Sequence, residues 1–419
     1  MAAAFAALAV PAQADTLVDN VDGFTLAADG KVQRFTGLLI GDDGRVEQLF
    51  QRGDRRPARA DYRLDGKGRV LMPGLIDAHI DLMKLGLTLL GSASDQARPR
   101  PEDRDDALTK AQQFLLERGV TTATDMGTSI EAWQTYRRAG DMGRLSIRIV
   151  GFAASVEDMV LIGGPGPTPW LYNDRLRLNG LRIVYSTPPP AAGAKPAAQA
   201  ARERQAAIQL KNLLSRAGID GFQATVEIPD TRSVAPVLDA IAEMQQTYKG
   251  DRRWRIDMPT APDVADLPRL VQLGVAVSLM PPPNGATPSV PAMAGPGAPV
   301  IRYSLGSGAP AGRVEPFAAI AAALPRESAL AAMTIGAAQT AQAEGRLGRI
   351  AIGQRADFLI VESDPLLATP SDLRSLRVLQ TWIGGKMAWQ AKDHANSGSG
   401  PSTETTERRI QGPGISGGR

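Results

Sequence analysis

The chain contains no cysteine and only two histidines, His79 and His394, in 419 residues. Without a thiol there is no disulfide framework, no thiolate zinc site and no cysteine nucleophile. A chain of this length can bury a core large enough to be stable without disulfides. No Gly-x-Ser-x-Gly segment comes with a histidine partner, so nucleophilic serine chemistry has no support. No run of about 18 apolar residues occurs, and no membrane-spanning helix is expected. An excess of one charge is also missing: 47 Lys and Arg stand against 44 Asp and Glu. The basic residues are scattered rather than striped, which removes the electrostatic case for nucleic-acid binding. Gly163-Gly164-Pro165-Gly166 lacks the lysine and the strand–helix context of a phosphate loop.

What remains is the composition of a globular protein, 43% hydrophobic and 22% charged. Length suggests one large domain with a small satellite. The first 14 residues, Met1 to Ala14, read as the apolar region and Ala12-Gln13-Ala14 cleavage site of a secretory signal peptide, although no basic residues precede them. Export to a periplasm, or secretion, is the expectation; without that leader the protein would stay cytoplasmic. From about residue 393 the chain is rich in Ser, Gly and Thr and nearly free of apolar residues, so 393–419 is expected to be a disordered tail. His394 sits at its edge and is read as solvated.

Between these ends two patterns alternate. Residues 16–50 carry short apolar runs broken by Asp22-Gly23, Asp29-Gly30 and Asp42-Asp43-Gly44, the mark of a small antiparallel sheet. Segments 349–353, 358–361 and 381–386 read the same way. The expected β-domain is therefore composite, 15–70 plus 345–392, with a small β-sandwich character. The middle, 71–344, alternates apolar runs with helical patterns, the signature of βα units and a parallel sheet. Strands are expected near 70–78, 119–125, 145–152, 180–186, 221–227, 253–258, 274–279 and 301–306. Eight of them predict an α/β fold, a (β/α)8 TIM-type barrel. Helices are expected over 105–118, 129–140, 198–216 and 232–247, with two more in 313–343 divided near Pro325. Loops are expected over 155–178 and 281–300.

The segment Pro73-Gly74-Leu75-Ile76-Asp77-Ala78-His79-Ile80-Asp81-Leu82 resembles the first-strand signature of the amidohydrolase superfamily. Arg253-Trp254-Arg255-Ile256-Asp257-Met258, Gly306-Ser307-Gly308-Ala309-Pro310 and Gly353-Gln354-Arg355-Ala356-Asp357-Phe358 continue the likeness. It looks closest to the branch holding N-substituted formamide deformylases and exported metal-dependent hydrolases. The resemblance implies a barrel with an added β-domain and hydrolysis of non-peptide C–N bonds. It also implies one or two zinc-like ions at the barrel mouth, where metal-bound water attacks a polarised carbonyl.

Carried over residue by residue, that site is largely missing. Strand one keeps His79 but has Asp81 where a second histidine belongs. The bridging lysine or glutamate of strand four falls near Arg182, whose guanidinium stays protonated and cannot coordinate a metal. The strand-five histidine falls on Val226 or Glu227, and the strand-six histidine on Met258, a soft thioether. The catalytic aspartate falls on Gly308, so no catalytic residue is assigned. The expected binding pocket is His79, Asp81, Asp125, Arg182, Glu227 and Met258, with Asp125 read more simply as a turn or helix-cap carboxylate. Arg182 is expected to pair with Asp81 or Glu227, one cation replacing another. This favours a metal-free pseudoenzyme that binds a ligand or a partner, with a pocket suited to a small anionic molecule. The first alternative is a divergent hydrolase holding one divalent ion on His79, Asp81 and Glu227. The second is an inactive subunit in a complex with a catalytic relative. A homo-oligomer stays open under any of the three.

Overall fold

A computed structural model of the chain describes residues 15–27, 29–91, 99–190, 192–193, 195–281, 301–323 and 325–392. The expected leader, the tail with His394 and the loop over 282–300 lie outside the described residues.

Five strands come first: β1 (Thr16–Leu26), β2 (Val32–Ile40), β3 (Val46–Phe50), β4 (Tyr62–Asp65) and β5 (Val70–Pro73). The turn at Asp29-Gly30 joins β1 to β2, and Asp42-Asp43-Gly44 joins β2 to β3. Asp22-Gly23 does not turn the chain. It lies inside β1, where the pairing with β2 slips between Asp19 and Gly23, a bulge. Gly23 is required there because a Cβ would lie 2.3 Å from the Phe35 ring.

The barrel follows. Its strands are β6 (Leu75–Ile80), β7 (Val120–Thr128), β8 (Arg148–Ala153), β9 (Leu176–Val184), β10 (Gln223–Glu227), β11 (Arg255–Met258), β12 (Ala276–Leu279) and β13 (Tyr303–Leu305). All pair in parallel in sequence order. A bridge from Ile80 to Ala309 brings the last strand's loop back to the first, so the eight-stranded TIM-type barrel nearly closes. The expected strand over 70–78 is two strands: β5 belongs to the other sheet and β6 to the barrel, with Gly74 between them. A Cβ on Gly74 would lie 2.4 Å from the Thr121 side chain.

The helices are α1 (Leu82–Leu89), α2 (Pro101–Glu117), α3 (Ile130–Asp141), α4 (Val156–Gly163), α5 (Pro196–Ile219), α6 (Val234–Thr247), α7 (Leu267–Gln272), α8 (Pro316–Ala322), α9 (Arg326–Ala332) and α10 (Ile335–Thr340). Capping explains several starts. The side chains of Asp81, Ser129 and Ser155 accept backbone N–H groups at the first turns of α1, α3 and α4. Two expectations fail here. Residues 155–178 hold a helix, because Ser155 caps four apolar residues ahead of the Gly-Pro run. Residues 313–343 hold three helices, with Thr334 breaking the second from the third.

The last strands are β14 (Phe358–Val361), β15 (Val378–Ile383) and β16 (Lys386–Gln390), with α11 (Pro370–Arg374) between the first two. They join the opening strands in one sheet, ordered β16-β15-β14-β5-β1-β2-β3, with β4 against β1. Residues 349–353 form no strand; Arg355 makes only an isolated bridge to Arg45. Arg148, the first residue of β8, clamps this sheet to the barrel through two bonds to Asp357, at 2.5 and 2.8 Å. Among the described residues no helix is long and apolar enough to cross a membrane.

Candidate functional site at the C-terminal mouth of the barrel

Strand period decides which side chains enter the barrel. On β10, Ala224 and Val226 pack into the main core against the helices, so Thr225 and Glu227 point inward. Glu227, rather than Val226, is therefore the residue of strand five that reaches the mouth. On β9, Leu181 and Ile183 face the core and Arg182 faces in. On β11, Ile256 and Met258 face the core, while Arg255 and Asp257 meet each other inside. On β7, Ala123 is in that outer core and Met126 is turned inward onto Phe152.

Two expected pocket residues are corrected by this phase. Met258 is buried in the helix-side core and lines no cavity at the mouth. Asp125 also faces the helix layer. Its carboxylate accepts from Leu82 N at 2.9 Å, Thr128 Oγ1 at 2.6 Å and Tyr136 Oη at 3.0 Å. Burial pushes the Asp125 carboxyl up to about 6, with the charge of Asp81 adding to the effect. Burial likewise pushes the Tyr136 hydroxyl upward.

The other expected residues do converge. A cavity of about 680 Å³ is lined by His79, Asp81, Lys84, Arg182, Glu227 and the backbone around Gly308. Arg182 grips Glu227 from Nε at 2.7 Å and Nη2 at 2.6 Å. Of the two expected partners it takes Glu227 rather than Asp81. His79 Nε2 lies 3.6 Å from the same Glu227 oxygen. On its other side, His79 Nδ1 lies 2.5 Å from Asp257 Oδ2. Asp257 is fully buried and is held in turn by Arg255, Nε at 2.5 Å and Nη2 at 2.6 Å. Burial alone would push the Asp257 carboxyl up. The Arg255 charge and the His79 hydrogen bond outweigh it and hold the carboxyl below its usual value. Nδ1 of His79 is therefore the donor to Asp257, which fixes the tautomer. The result is a line of groups across the barrel: Arg182, Glu227, His79, Asp257, Arg255.

Asp77, one turn of the strand below His79, supports the same end of the barrel. Its Oδ1 accepts from Ser307 N at 2.9 Å and His79 N at 3.1 Å, and burial pushes its carboxyl up. Gly308 adopts φ 66° and donates its N–H to His79 O at 2.9 Å. Nothing lies within 4 Å of where its Cβ would be, so the wall there is open.

Do His79, Asp81 and Glu227 suit a divalent ion? Asp81 is the N-cap of α1, with Oδ1 accepting from Lys84 N at 3.0 Å. His79 keeps Nε2 toward the cavity, but the nearest carboxylate oxygen, Glu227 Oε2, is taken by Arg182 Nε and Nη2, whose fixed positive charge beside it opposes a second cation. No three acidic or histidine side chains among the described residues are arranged to hold a metal. The three side chains are not gathered about one point, and no chemical step is derived through an ion. The arrangement can instead bind: Arg182 and Lys84 offer cationic N–H groups to a ligand, Glu227 an acceptor, above a rigid buried base.

The sequence reading gave Asp257 and Arg255 no role. Their two-residue spacing on one strand was the available signal, since it places both on one face. A larger groove of about 910 Å³ lies at the seam of α2, α8 and β16, lined by residues such as Arg118, Phe317 and Trp389. It shares no lining residue with the mouth cavity, where the polar groups converge.

Barrel, added sheet and mouth cavity together define an enzyme-type α/β scaffold with its pocket at the C-terminal strand ends. The chain belongs to the amidohydrolase family, whose model matches residues 90–388. It is similar to the imidazolonepropionase of Stenotrophomonas maltophilia, 39% identical over 72 residues, 17% of this chain and 18% of that one. It is also similar to Deacetylase Atu3266 of Agrobacterium fabrum, 32% identical over 125 residues, 29% of this chain and 25% of that one. These matches span a quarter or less of either relative's length. Among solved structures, an uncharacterized metal-dependent hydrolase from Pyrococcus horikoshii superposes with TM-score 0.65 at 14% identity, over 85% of this chain and 99% of that one. At that identity the likeness shows the fold.

Proposed function

We propose that this amidohydrolase-family chain is a metal-independent binding protein whose barrel mouth takes a small ligand bearing a carboxylate or similar anion. The observation that carries this reading is the Arg182 fork on Glu227, 2.6–2.7 Å away, at the place where the family resemblance puts a metal-bridging side chain. A fixed cation there supplies positive charge without coordination. Gly308, at the position of the family's catalytic aspartate, supplies no side chain to take a proton. Lys84 forms no ion pair among the described residues and lines the same cavity, so a ligand anion has a second cation to meet. A periplasmic setting is part of the same proposal, on the Ala12-Gln13-Ala14 cleavage pattern in the sequence.

The test combines metal analysis with ligand binding on the full chain. Protein purified without chelator and incubated with zinc, manganese or iron is expected to retain less than about a tenth of an ion per chain, with no thermal shift from added metal. Succinate and glutarate are expected to raise the melting temperature of the wild type and not that of Arg182→Met. Near one ion per chain, lost in His79→Ala, would overturn the reading in favour of a mononuclear hydrolase on His79, Asp81 and Glu227.

A further inference from the structure

The opposite end of the barrel carries an imbalance of charge. At the N-terminal ends of β8 and β9, and in the loops of the added sheet beneath them, six guanidiniums gather: Arg45, Arg148, Arg175, Arg177, Arg346 and Arg355. Three of them share one carboxylate. Asp174 is met by Arg355 Nε at 2.7 Å, Arg45 Nη2 at 3.0 Å and Arg346 Nη1 at 3.0 Å. Arg148 takes Asp357, and Arg45 also reaches Asp43 at 3.2 Å. Six cations against three carboxylates leave three positive charges in excess.

The excess falls on particular atoms. Arg175 and Arg177 make no ion pair among the described residues. Arg175 Nη1 and Arg177 Nε are buried and have no hydrogen-bond partner. Arg177 lies over the Trp170 ring, 5.9 Å from its centroid, which holds the guanidinium in place. Beside it is a cavity of about 590 Å³, lined by Arg177, Arg346, Trp170, Thr168 and Gln342, with no carboxylate in its wall. A buried N–H left unmade costs about 1–3 kcal/mol, more for a charged group. A structure that keeps such groups beside a cation-lined cavity is organised for an anion.

We propose that the N-terminal mouth of the barrel is a second binding site, built on Arg177 and Arg346, for a phosphate-type polyanion. Guanidinium forks match phosphate oxygens in pairs, and a multivalent anion offsets the surplus charge of the cluster. The perturbed arginines agree with this placement. Burial, and then the neighbouring Arg346 charge, hold Arg177 below its usual value. Burial, and then Arg148, bring Arg175 down to about 10. An anion in the cavity would offset the charge that Arg177 and Arg346 place beside each other. The site is independent of the C-terminal mouth, from which the length of the barrel strands separates it.

Isothermal titration of the full chain with inorganic pyrophosphate, at constant ionic strength, tests the proposal. One saturable site is expected, weakened at least about tenfold in Arg346→Gln and in Arg177→Gln through loss of a charge-assisted pair. Lys84→Gln, at the other mouth, is expected to leave it unchanged. Arg346 is partly exposed and its variant is expected to fold, so it decides the matter should Arg177→Gln not fold. Adenosine diphosphate in a parallel titration separates the two sources of the anion. Tighter binding than pyrophosphate assigns the site to the phosphate end of a larger metabolite, and equal binding assigns it to the free anion. No saturable binding, full affinity in Arg346→Gln, or a loss equal to it in Lys84→Gln would overturn the site.

Discussion

Replacing Arg255 with methionine keeps most of the buried stem and removes the guanidinium. In the wild type that group makes two bonds to Asp257, at 2.5 and 2.6 Å, and one to Ala78 O at 2.6 Å, with both charged residues fully buried. After the substitution Asp257 keeps only His79 Nδ1. Removing one member of a buried pair costs about 3–5 kcal/mol, because the remaining charge has lost its partner in a poorly solvating interior. At about 2 °C per kcal/mol for a chain of this size, calorimetry at pH 7 should show the melting temperature falling by roughly 6–10 °C. The pH dependence gives a second, sharper check. In the wild type the Asp257 carboxyl is held below its unfolded value, so its contribution is present above about pH 4 and lost as pH falls through the depressed folded value. Without Arg255, burial dominates and the folded value rises above the unfolded one. The variant's deficit is then greatest at neutral pH and narrows as pH falls through that raised value. A deficit under about 1 kcal/mol at pH 7, or one constant from pH 7 to pH 5, would refute the account of the buried line as a mutually supporting set of charges.

Asp125 should show the opposite sign in the native protein. Its folded value, about 6, lies above the unfolded one, so stability falls as pH rises from about 4 to about 6. Melting curves between pH 4.5 and 7.5 should therefore slope less in Asp125→Asn than in the wild type, and an unchanged slope would assign the titration elsewhere. Gly86 should tolerate no side chain, because a Cβ there would lie 2.1 Å from Ala107 O on the facing helix. Gly86→Ala is expected to cost about 1–3 kcal/mol in urea unfolding by forcing α1 off α2, and an equally stable variant would mean that the two helices separate freely.

The eight barrel strands were legible because each is a short apolar run between helical patterns, and that alternation survives in a single sequence. The phase of each strand was not. A barrel strand is buried on both faces, so hydrophobicity does not mark which residues turn inward. Asp125 and Met258 were accordingly assigned to the pocket when Met126 and Asp257 hold the inward positions on those strands. At Arg182 the family resemblance supplied the position, and at the end of strand five it left Val226 and Glu227 both open. The guanidinium cluster at the lower mouth was invisible for a further reason. Arg45, Arg148, Arg175, Arg346 and Arg355 are scattered along the sequence, and only the closure of the added sheet on the barrel gathers them.

That closure also sets a timetable for synthesis. Strand β5 is paired on one side with β1 and on the other with β14, Met72 opposite Leu359. At about 5–20 residues per second, a ribosome delivers β14 roughly 15–60 s after β5 has left the tunnel. For that interval the nascent chain presents Val70, Leu71 and Met72 as an open strand edge, a template for pairing with another copy. Pro73, which lacks an N–H, blunts one end of that edge and leaves the rest to a chaperone or to prompt completion of the chain.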